Sequence, residues 1–143
     1  MKKNYKKNIV KLLSDLVAID SSYPPGYSKN LNNYIFKYLK NTKLKVQLKG
    51  KDKNKPNIIA KNYQGNQKSI VFNSHIDTVK PNLTDWKTNP YKLKKINSYL
   101  HGLGSVNCKG SAAVQLYIAH ELHNLFPNLK TINKPNSYVY YIN

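Results

Sequence analysis

Residues 70–79 read IVFNSHIDTV, and this stretch decides the fold class. Its opening run, Ile70-Val71-Phe72, is apolar and continuous, which predicts a short internal strand covered on both faces. His75 and Asp77 follow that strand directly, and open α/β sheets gather their ligands at the carboxyl ends of strands. The spacing i, i+2 sets both side chains on one face of an extended segment. The stretch therefore predicts a strand of an α/β sheet that ends in a polar site.

The pair His75 and Asp77 has the chemistry of a metal site. A neutral imidazole supplies a nitrogen ligand, and a neighbouring carboxylate orients the ring, fixes its tautomer and raises its basicity. The spacing alone is a weak signal, because a histidine and an aspartate can also simply end a strand. The surrounding sequence has to decide between these two interpretations.

Hydrophobic periodicity predicts three helices around this strand. Residues 8–19 carry apolar side chains at the i, i+3, i+4, i+7 and i+8 positions of an amphipathic surface helix. Ser28 is positioned to cap a second helix, and a third is predicted from about Lys109 to Leu125. The side chains expected to be buried are Ile9, Leu12, Leu13, Leu16 and Val17 in the first helix, Leu31, Ile35, Phe36 and Leu39 in the second, and Ala112, Ala113, Leu116, Ala119 and Leu122 in the third.

Further strands are predicted at residues 44–48, where apolar and polar residues alternate, at 57–60 and at 138–142. Residues 63–67 are typical of a turn, and residues 80–100 are polar and expected to have little regular structure. The order helix, helix, three strands, helix, strand predicts an α/β fold in which helices pack on a mixed sheet.

Composition limits the class of protein. A length of 143 residues with 40% apolar residues fits one folded domain. No apolar run approaches the ~20 residues that cross a bilayer, so we expect no membrane segment. The single cysteine, Cys108, cannot form a disulfide within the chain, which favours a reducing, cytoplasmic location.

The net charge of +18 raises the question of nucleic-acid binding, but all 24 basic residues are lysines and none is arginine. Arginine is the residue that makes bidentate hydrogen bonds to guanine base edges and to phosphate. The lysines are also spread along the chain, which favours a codon bias acting on a solvated surface. A basic nucleic-acid-binding protein is therefore the least favoured of the functional hypotheses.

Several short motifs follow one another in an order that is typical of one enzyme family. They are Asp15–Ser22, Ser74–Val79, Asp85-Trp86, Asn89-Pro90-Tyr91, Gly102-Leu103-Gly104-Ser105 and Lys109-Gly110. In this order the chain resembles the zinc-dependent family of acetylornithine deacetylases, succinyl-diaminopimelate desuccinylases, aminoacylases and glutamate carboxypeptidases. Residues 73–82 and 102–105 look most like the acetylornithine deacetylases.

The resemblance implies a mechanism and a set of site residues. Two zinc ions share a bridging water or hydroxide and polarise the scissile amide, and a glutamate acts as general base. His75 matches the ligand of one metal, and Asp77 matches the acid that orients this histidine. Asn107 matches the aspartate that bridges both metals. The implied substrate is a small N-acyl amino acid, and the implied pathway is arginine biosynthesis.

The chain departs from the family pattern at two points. Asn107 offers a neutral oxygen where the family has a carboxylate, and no aspartate or glutamate lies between Trp86 and Glu121 to replace it. We therefore expect zinc to bind weakly or at a single site. The family's general-base glutamate is also missing, because Glu121 is the only glutamate and lies in the preceding helix. We expect this chain to be inactive by itself.

The resemblance implies that residues 1–143 form the N-terminal part of a single metallohydrolase catalytic domain, a truncated zinc-exopeptidase-like domain. Its C-terminal catalytic half and its dimerisation domain are expected to be absent. The competing interpretations are an enzyme of the acetylornithine deacetylase type, and a non-catalytic remnant or half of a split enzyme that a C-terminal polypeptide complements.

Three other features are set aside. His120-Glu121-Leu122-His123 is not the H-E-x-x-H zinc pattern, in which the histidines lie four residues apart. His101 is interpreted as structural. Cys108 lacks the partner acid and base that a nucleophile needs.

Overall fold

The computed structural model describes residues 4–61, 69–125 and 137–142. The helices are α1 (Tyr5–Ala18), α2 (Lys29–Lys40) and α3 (Lys109–Leu125). The strands are β1 (Ser22–Tyr23), β2 (Lys45–Lys49), β3 (Asn57–Lys61), β4 (Ser69–Ser74), β5 (Thr78–Val79), β6 (Lys94–Ile96), β7 (Tyr99–His101) and β8 (Ser137–Ile142). The predicted helices and strands are all present, and the α/β fold class is confirmed.

The main sheet has the strand order β2-β3-β8-β4. β2 pairs with β3 and β3 with β8 in antiparallel fashion, whereas β8 and β4 run parallel. The sheet is therefore mixed, as predicted. The two short pairs, β1 with β5 and β6 with β7, lie outside this sheet.

The three helices supply most of the hydrophobic core. α1 packs against α3, α2 contacts β2 and β3, and α3 contacts β4 and β8. The buried stripe of α1 is the predicted one, with Leu12, Leu13, Leu16 and Val17 buried and Ile9 packed at its edge. In α3 the predicted Ala112, Ala113, Leu116 and Ala119 are buried, while the side chain of Leu122 lies outside the described residues.

The predictions for α2 were partly wrong. Ser28 precedes the helix, but its hydroxyl makes no bond to the helix backbone and instead accepts from Asn32 Nδ2 at 3.0 Å. Asn32 is fully buried, whereas Phe36, predicted to be buried, is only partly buried. The buried position suits Asn32 because its amide also donates to the carbonyl of Pro56, so the helix is tied to the loop before β3.

β4 is not the fully covered internal strand that its apolar run predicts. Among the described strands it pairs only with β8, so it ends the sheet. Phe72 packs against the core, whereas Val71 faces the other way and is 57% exposed. Alternate residues of a strand point to opposite faces, and the helices that contact the sheet leave the Val71 face open. A run of three apolar residues does not show whether other elements pack against both faces of the strand.

The predicted irregular excursion at residues 80–100 was also partly wrong, because β6 and β7 form an antiparallel hairpin there, with Asn97 and Ser98 at positive φ in its turn. The predicted turn at 63–67 lies outside the described residues. No helix within the described ranges is long and apolar enough to cross a membrane.

Candidate metal site

The candidate site begins where β4 ends. After Ser74 the chain leaves the sheet and runs without regular structure through His75, Ile76 and Asp77 to β5. Gln115 of α3 holds the end of the strand, because its Oε1 accepts from Ser74 Oγ at 3.0 Å and its Nε2 donates to the Asn73 carbonyl at 3.3 Å. The position of the site at a carboxyl strand end is the one predicted from the sequence.

The structure brings His75 and Asp77 into contact. His75 Nδ1 lies 3.0 Å from Asp77 Oδ1 and 3.2 Å from the Asp77 backbone oxygen. Because both partners accept hydrogen bonds, the neutral form of this imidazole carries its hydrogen on Nδ1 and has its lone pair on Nε2. Both side chains are about half-exposed, at 48% and 54%. This geometry presents Nε2 as a nitrogen ligand that the carboxylate orients.

The backbone between the two residues is fixed from the α1 side. Ser21 Oγ donates to the Ile76 carbonyl at 2.7 Å, and Thr78 N donates to the Ser21 carbonyl at 3.2 Å. β1 and β5 continue this contact as a parallel pair. Ile76 itself is fully buried in the core. His75 and Asp77 are therefore exposed side chains on a firmly held loop.

A second contact reaches the same loop from the start of α3. The Cys108 thiol donates to the Asp77 carbonyl at 3.4 Å and is almost fully buried. Burial raises the pKa of this thiol, which disfavours the reactive thiolate. The role of Cys108 is thus to hold the Asp77 backbone, which agrees with setting it aside as a nucleophile.

A buried lysine and an aspartate hold the segment that contains Ser21. Lys109 is fully buried, and its Nζ donates to the Ile19 carbonyl at 2.9 Å. Burial lowers the pKa of Lys109 to about 8, although Cys108 and Asp20 oppose this shift. Burial acts to raise the pKa of Asp20, but hydrogen bonds from the Ser22 hydroxyl and amide, at 2.5 and 2.8 Å, outweigh it and lower that pKa.

Asn107 lies in the turn of residues 103–108 and is exposed. It lines a shallow cavity of about 380 Å³ together with Trp86, Tyr99 and His101, and neither His75 nor Asp77 contributes to that lining. No hydrogen bond within the described part of the chain joins Asn107 to either residue. Its neighbour Cys108 contacts Asp77, because the Cys108 thiol donates to the Asp77 carbonyl.

Gly104 sets the shape of this turn. Its φ is +78°, and a Cβ at this position would lie 2.8 Å from Thr78 Cγ2. Only glycine combines this backbone conformation with so close an approach. The turn that carries Asn107 therefore packs directly against β5, the strand that follows Asp77.

The described residues of the site supply one metal ligand, His75, and do not form a two-metal centre. Among the described residues, no three histidine, cysteine, aspartate or glutamate side chains are placed to hold a metal ion together. His75 Nε2 is available as a ligand, whereas Asn107 supplies only a neutral oxygen. A divalent cation held close to a second one needs anionic ligands between them.

Sequence reasoning missed the residues that hold the site. The sequence pattern marks Ser21 and Asp20 only as members of a motif, and Lys109 only as a helix start and a member of the Lys109-Gly110 motif. Lys109 is one of 24 lysines, and nothing in its local sequence marks it as buried. A signal does exist for Ser21, since the small polar pair Ser21-Ser22 comes three residues after the end of α1.

Comparison with known proteins finds a similar family model and several similar proteins. The model of peptidase family M20/M25/M40 matches residues 71–133. A peptidase M20 domain-containing protein of Schizosaccharomyces pombe is 33% identical over 120 residues, which cover 80% of this chain and 27% of that protein. A succinyl-diaminopimelate desuccinylase of Wigglesworthia glossinidia brevipalpis is 32% identical over 86% of this chain and 32% of its own length. An acetylornithine deacetylase of Buchnera aphidicola is 35% identical over 46% of this chain and 16% of its own length.

The solved structure of human carnosine dipeptidase 1 has a similar fold. It superposes with a TM-score of 0.72 over 96% of this chain and 32% of that chain, at 19% identity. This structure shows the fold, and the family model together with the sequence relatives confirms the resemblance stated from the motifs. This chain spans about a third or less of the length of the relatives it matches.

Proposed function

Because this chain is related in sequence and in fold to peptidase family M20/M25/M40, we propose that it carries the first metal-ligand segment of a hydrolase of N-acyl amino acids. The observation that carries the proposal is the contact of His75 Nδ1 with Asp77 Oδ1, 3.0 Å long, at the carboxyl end of β4. Relatives named as a desuccinylase and a deacetylase support amide-bond hydrolysis as the reaction class.

The residues have separate roles in this proposal. His75 Nε2 binds zinc, and Asp77 keeps the imidazole in the Nδ1–H tautomer and increases its basicity. Zinc held by His75 would supply Lewis-acid chemistry, polarising an amide carbonyl and lowering the pKa of a water molecule. Ser21 and Cys108 are positioning residues, because they bond the backbone on both sides of Asp77 rather than any reacting group.

We propose that the substrate is most similar to N-acetylornithine and that the reaction belongs to arginine biosynthesis in the cytoplasm. The support for this choice is the motif of residues 73–82 followed by 102–105, together with the deacetylase relative. The desuccinylase relatives favour a succinylated diamino acid instead. Both candidates are N-acyl amino acids, so the proposed reaction class does not depend on the choice.

Asn107 limits what this chain does alone. Without a carboxylate at this position, two zinc ions lack the negative charge that holds them close together. The only glutamate, Glu121, lines a different cavity between the helices. The proposal is therefore that the 143-residue chain binds one zinc ion weakly and does not hydrolyse the amide by itself.

We also propose that a further polypeptide completes the sheet beside β4. β2 ends the sheet on one side and carries Lys45 and Lys49, which disfavour pairing with another strand. β4 ends it on the other side without any charged residue and with Val71 exposed. Reading the DNA past codon 143 tests this idea. Coding sequence with an Asp-Glu-Glu-like stretch, either continuous with this chain or in a separate reading frame, is the expected result, and unrelated sequence would contradict it.

Zinc titration of the purified chain by calorimetry tests the metal site. We expect one weak site in the unaltered protein and its loss in His75→Ala. His101→Ala is the matched control, because His101 is an exposed histidine on β7, outside the pair. Equal binding by His75→Ala, or two tight sites in the unaltered chain, would contradict the proposal. In the same preparations, zinc-dependent release of acetate from N-acetylornithine or of succinate from N-succinyl-diaminopimelate would show that Asn107 does not prevent catalysis.

A further inference from the structure

A separate cavity lies between the three helices. It has a volume of about 260 Å³ and is lined by α1, α2 and α3. The residues that give it its chemistry are Asp15, Tyr34, Tyr38, Tyr117, His120 and Glu121. None of His75, Asp77 or Asn107 contributes to it, and the zinc hypothesis makes no use of it.

The charge of this cavity is opposite to that of the chain. The protein has a net charge of +18 and only six acidic residues, yet two of them, Asp15 and Glu121, line this one cavity. A single lysine, Lys11, lies at the rim, with its side chain 75% exposed and bonded to Asp15 at 2.7 Å. Glu121 is only 8% exposed. His120 Nδ1 lies 3.3 Å from Glu121 Oε1. The two carboxylates and Lys11 together contribute a net charge of −1 to the lining, which favours cations over anions.

The rings of three tyrosines, Tyr34, Tyr38 and Tyr117, also line the cavity. Tyr34 OH donates to Asp15 Oδ2 at 2.8 Å, and the Tyr38 ring lies 4.9 Å from the His120 ring, centroid to centroid. Burial, with the nearby Glu121 and Tyr117, raises the pKa of Tyr38 to about 12. The Tyr38 phenol therefore stays neutral across the physiological range, and the electron-rich face of an aromatic ring attracts a cation.

We propose that this cavity binds a small organic cation, a primary or methylated ammonium ion, between the tyrosine rings and the two carboxylates. A bare divalent metal is disfavoured, because no group of three metal-binding side chains occurs among the described residues. A volume of about 260 Å³ admits only a small ligand. The proposal stands on the cavity alone and does not depend on the proposed hydrolase function.

Choline and 3,3-dimethyl-1-butanol form a matched pair of probes, because the two have nearly the same shape and differ in the positive charge. Each is titrated into the full chain while the tyrosine ring signals are followed by nuclear magnetic resonance. We expect saturable shifts with choline and binding at least about fivefold weaker for the neutral alcohol. Glu121→Gln should weaken choline binding by a similar factor. Asp85→Asn, which makes the same change of net charge at an exposed position outside the cavity, should leave it unchanged.

Three outcomes would overturn the proposal. They are the absence of saturable shifts with up to ~100 mM choline, equal affinity for the two probes, and unchanged choline binding in Glu121→Gln. If Glu121→Gln does not fold, the two probes on the unaltered chain still decide the question, because their comparison needs no variant. The proposal is supported only if choline binds more tightly than the neutral alcohol of nearly the same shape.

Discussion

The two segments that frame the candidate metal site, residues 75–79 and residues 103–108, differ in the groups that they present. The first keeps a histidine–carboxylate pair in contact, on a backbone bonded by Ser21 and Cys108. The second keeps its tight glycine turn against β5 but presents the neutral Asn107 to solvent. The difference shows that the frame of the site and its charge are separable. The frame depends on buried groups, whereas in the proposed site the charge would depend on the exposed side chain at position 107.

Removal of Lys109 should disturb the frame most. Lys109→Ala deletes a fully buried side chain and the donor to the Ile19 carbonyl, so the free energy of unfolding should fall by about 2–4 kcal/mol. Lys109→Met keeps the volume and removes the buried charge, so it should lose less. Urea unfolding near pH 7 measures both. Equal stability of Lys109→Ala and the unaltered chain would show that this lysine does not hold the frame.

The same lysine predicts a dependence of stability on pH. Its pKa is about 8 in the folded protein and near 10.5 when unfolded, so the unfolded state binds more protons between these values. The free energy of unfolding should therefore rise between about pH 8 and pH 10, by about 1–3 kcal/mol. The difference in free energy of unfolding between the unaltered chain and Lys109→Met, measured across this pH range, separates the effect of Lys109 from the titration of the tyrosines. A flat difference would contradict it.

Ser21→Ala should have a smaller effect on folding and a specific effect on the first segment. It removes the 2.7 Å bond to the Ile76 carbonyl and should lower the free energy of unfolding by about 1–2 kcal/mol. Zinc affinity should also fall severalfold, because the backbone between His75 and Asp77 is then less restrained. Ser111→Ala, at an exposed position of α3, is the control. A loss of stability without any loss of zinc affinity would restrict Ser21 to a structural role.

Asn107→Ala should have the smallest effect on folding. The side chain is exposed, and none of the hydrogen bonds found in the described ranges uses it, so the free energy of unfolding should change by less than about 0.5 kcal/mol. A larger loss in urea unfolding would mean that the turn depends on Asn107, and that frame and charge are not separable.

The sequence predicts the parts of this molecule that rest on local periodicity. The stripe of α1, the extent of α3 and the contact of His75 with Asp77 follow from residues close together in the chain. Val71 shows where such reasoning fails, because whether a strand has cover on both faces depends on distant elements. Lys109 and Ser21 were missed for the same reason, since their partners Ile19 and Ile76 lie 90 and 55 residues away. The cavity between the helices joins side chains of three separate elements, whose spacing gives no pattern at all.

Zinc titration of Asn107→Asp beside the unaltered chain tests the separation of frame and charge most directly. If the frame is intact and only the charge is lacking, restoring the carboxylate should tighten zinc binding at least about tenfold, and His75→Ala in the same background should abolish that gain. Stability without zinc should stay within about 0.5 kcal/mol of the unaltered chain, because the position is exposed. A zinc affinity of Asn107→Asp equal to that of the unaltered chain would contradict the account.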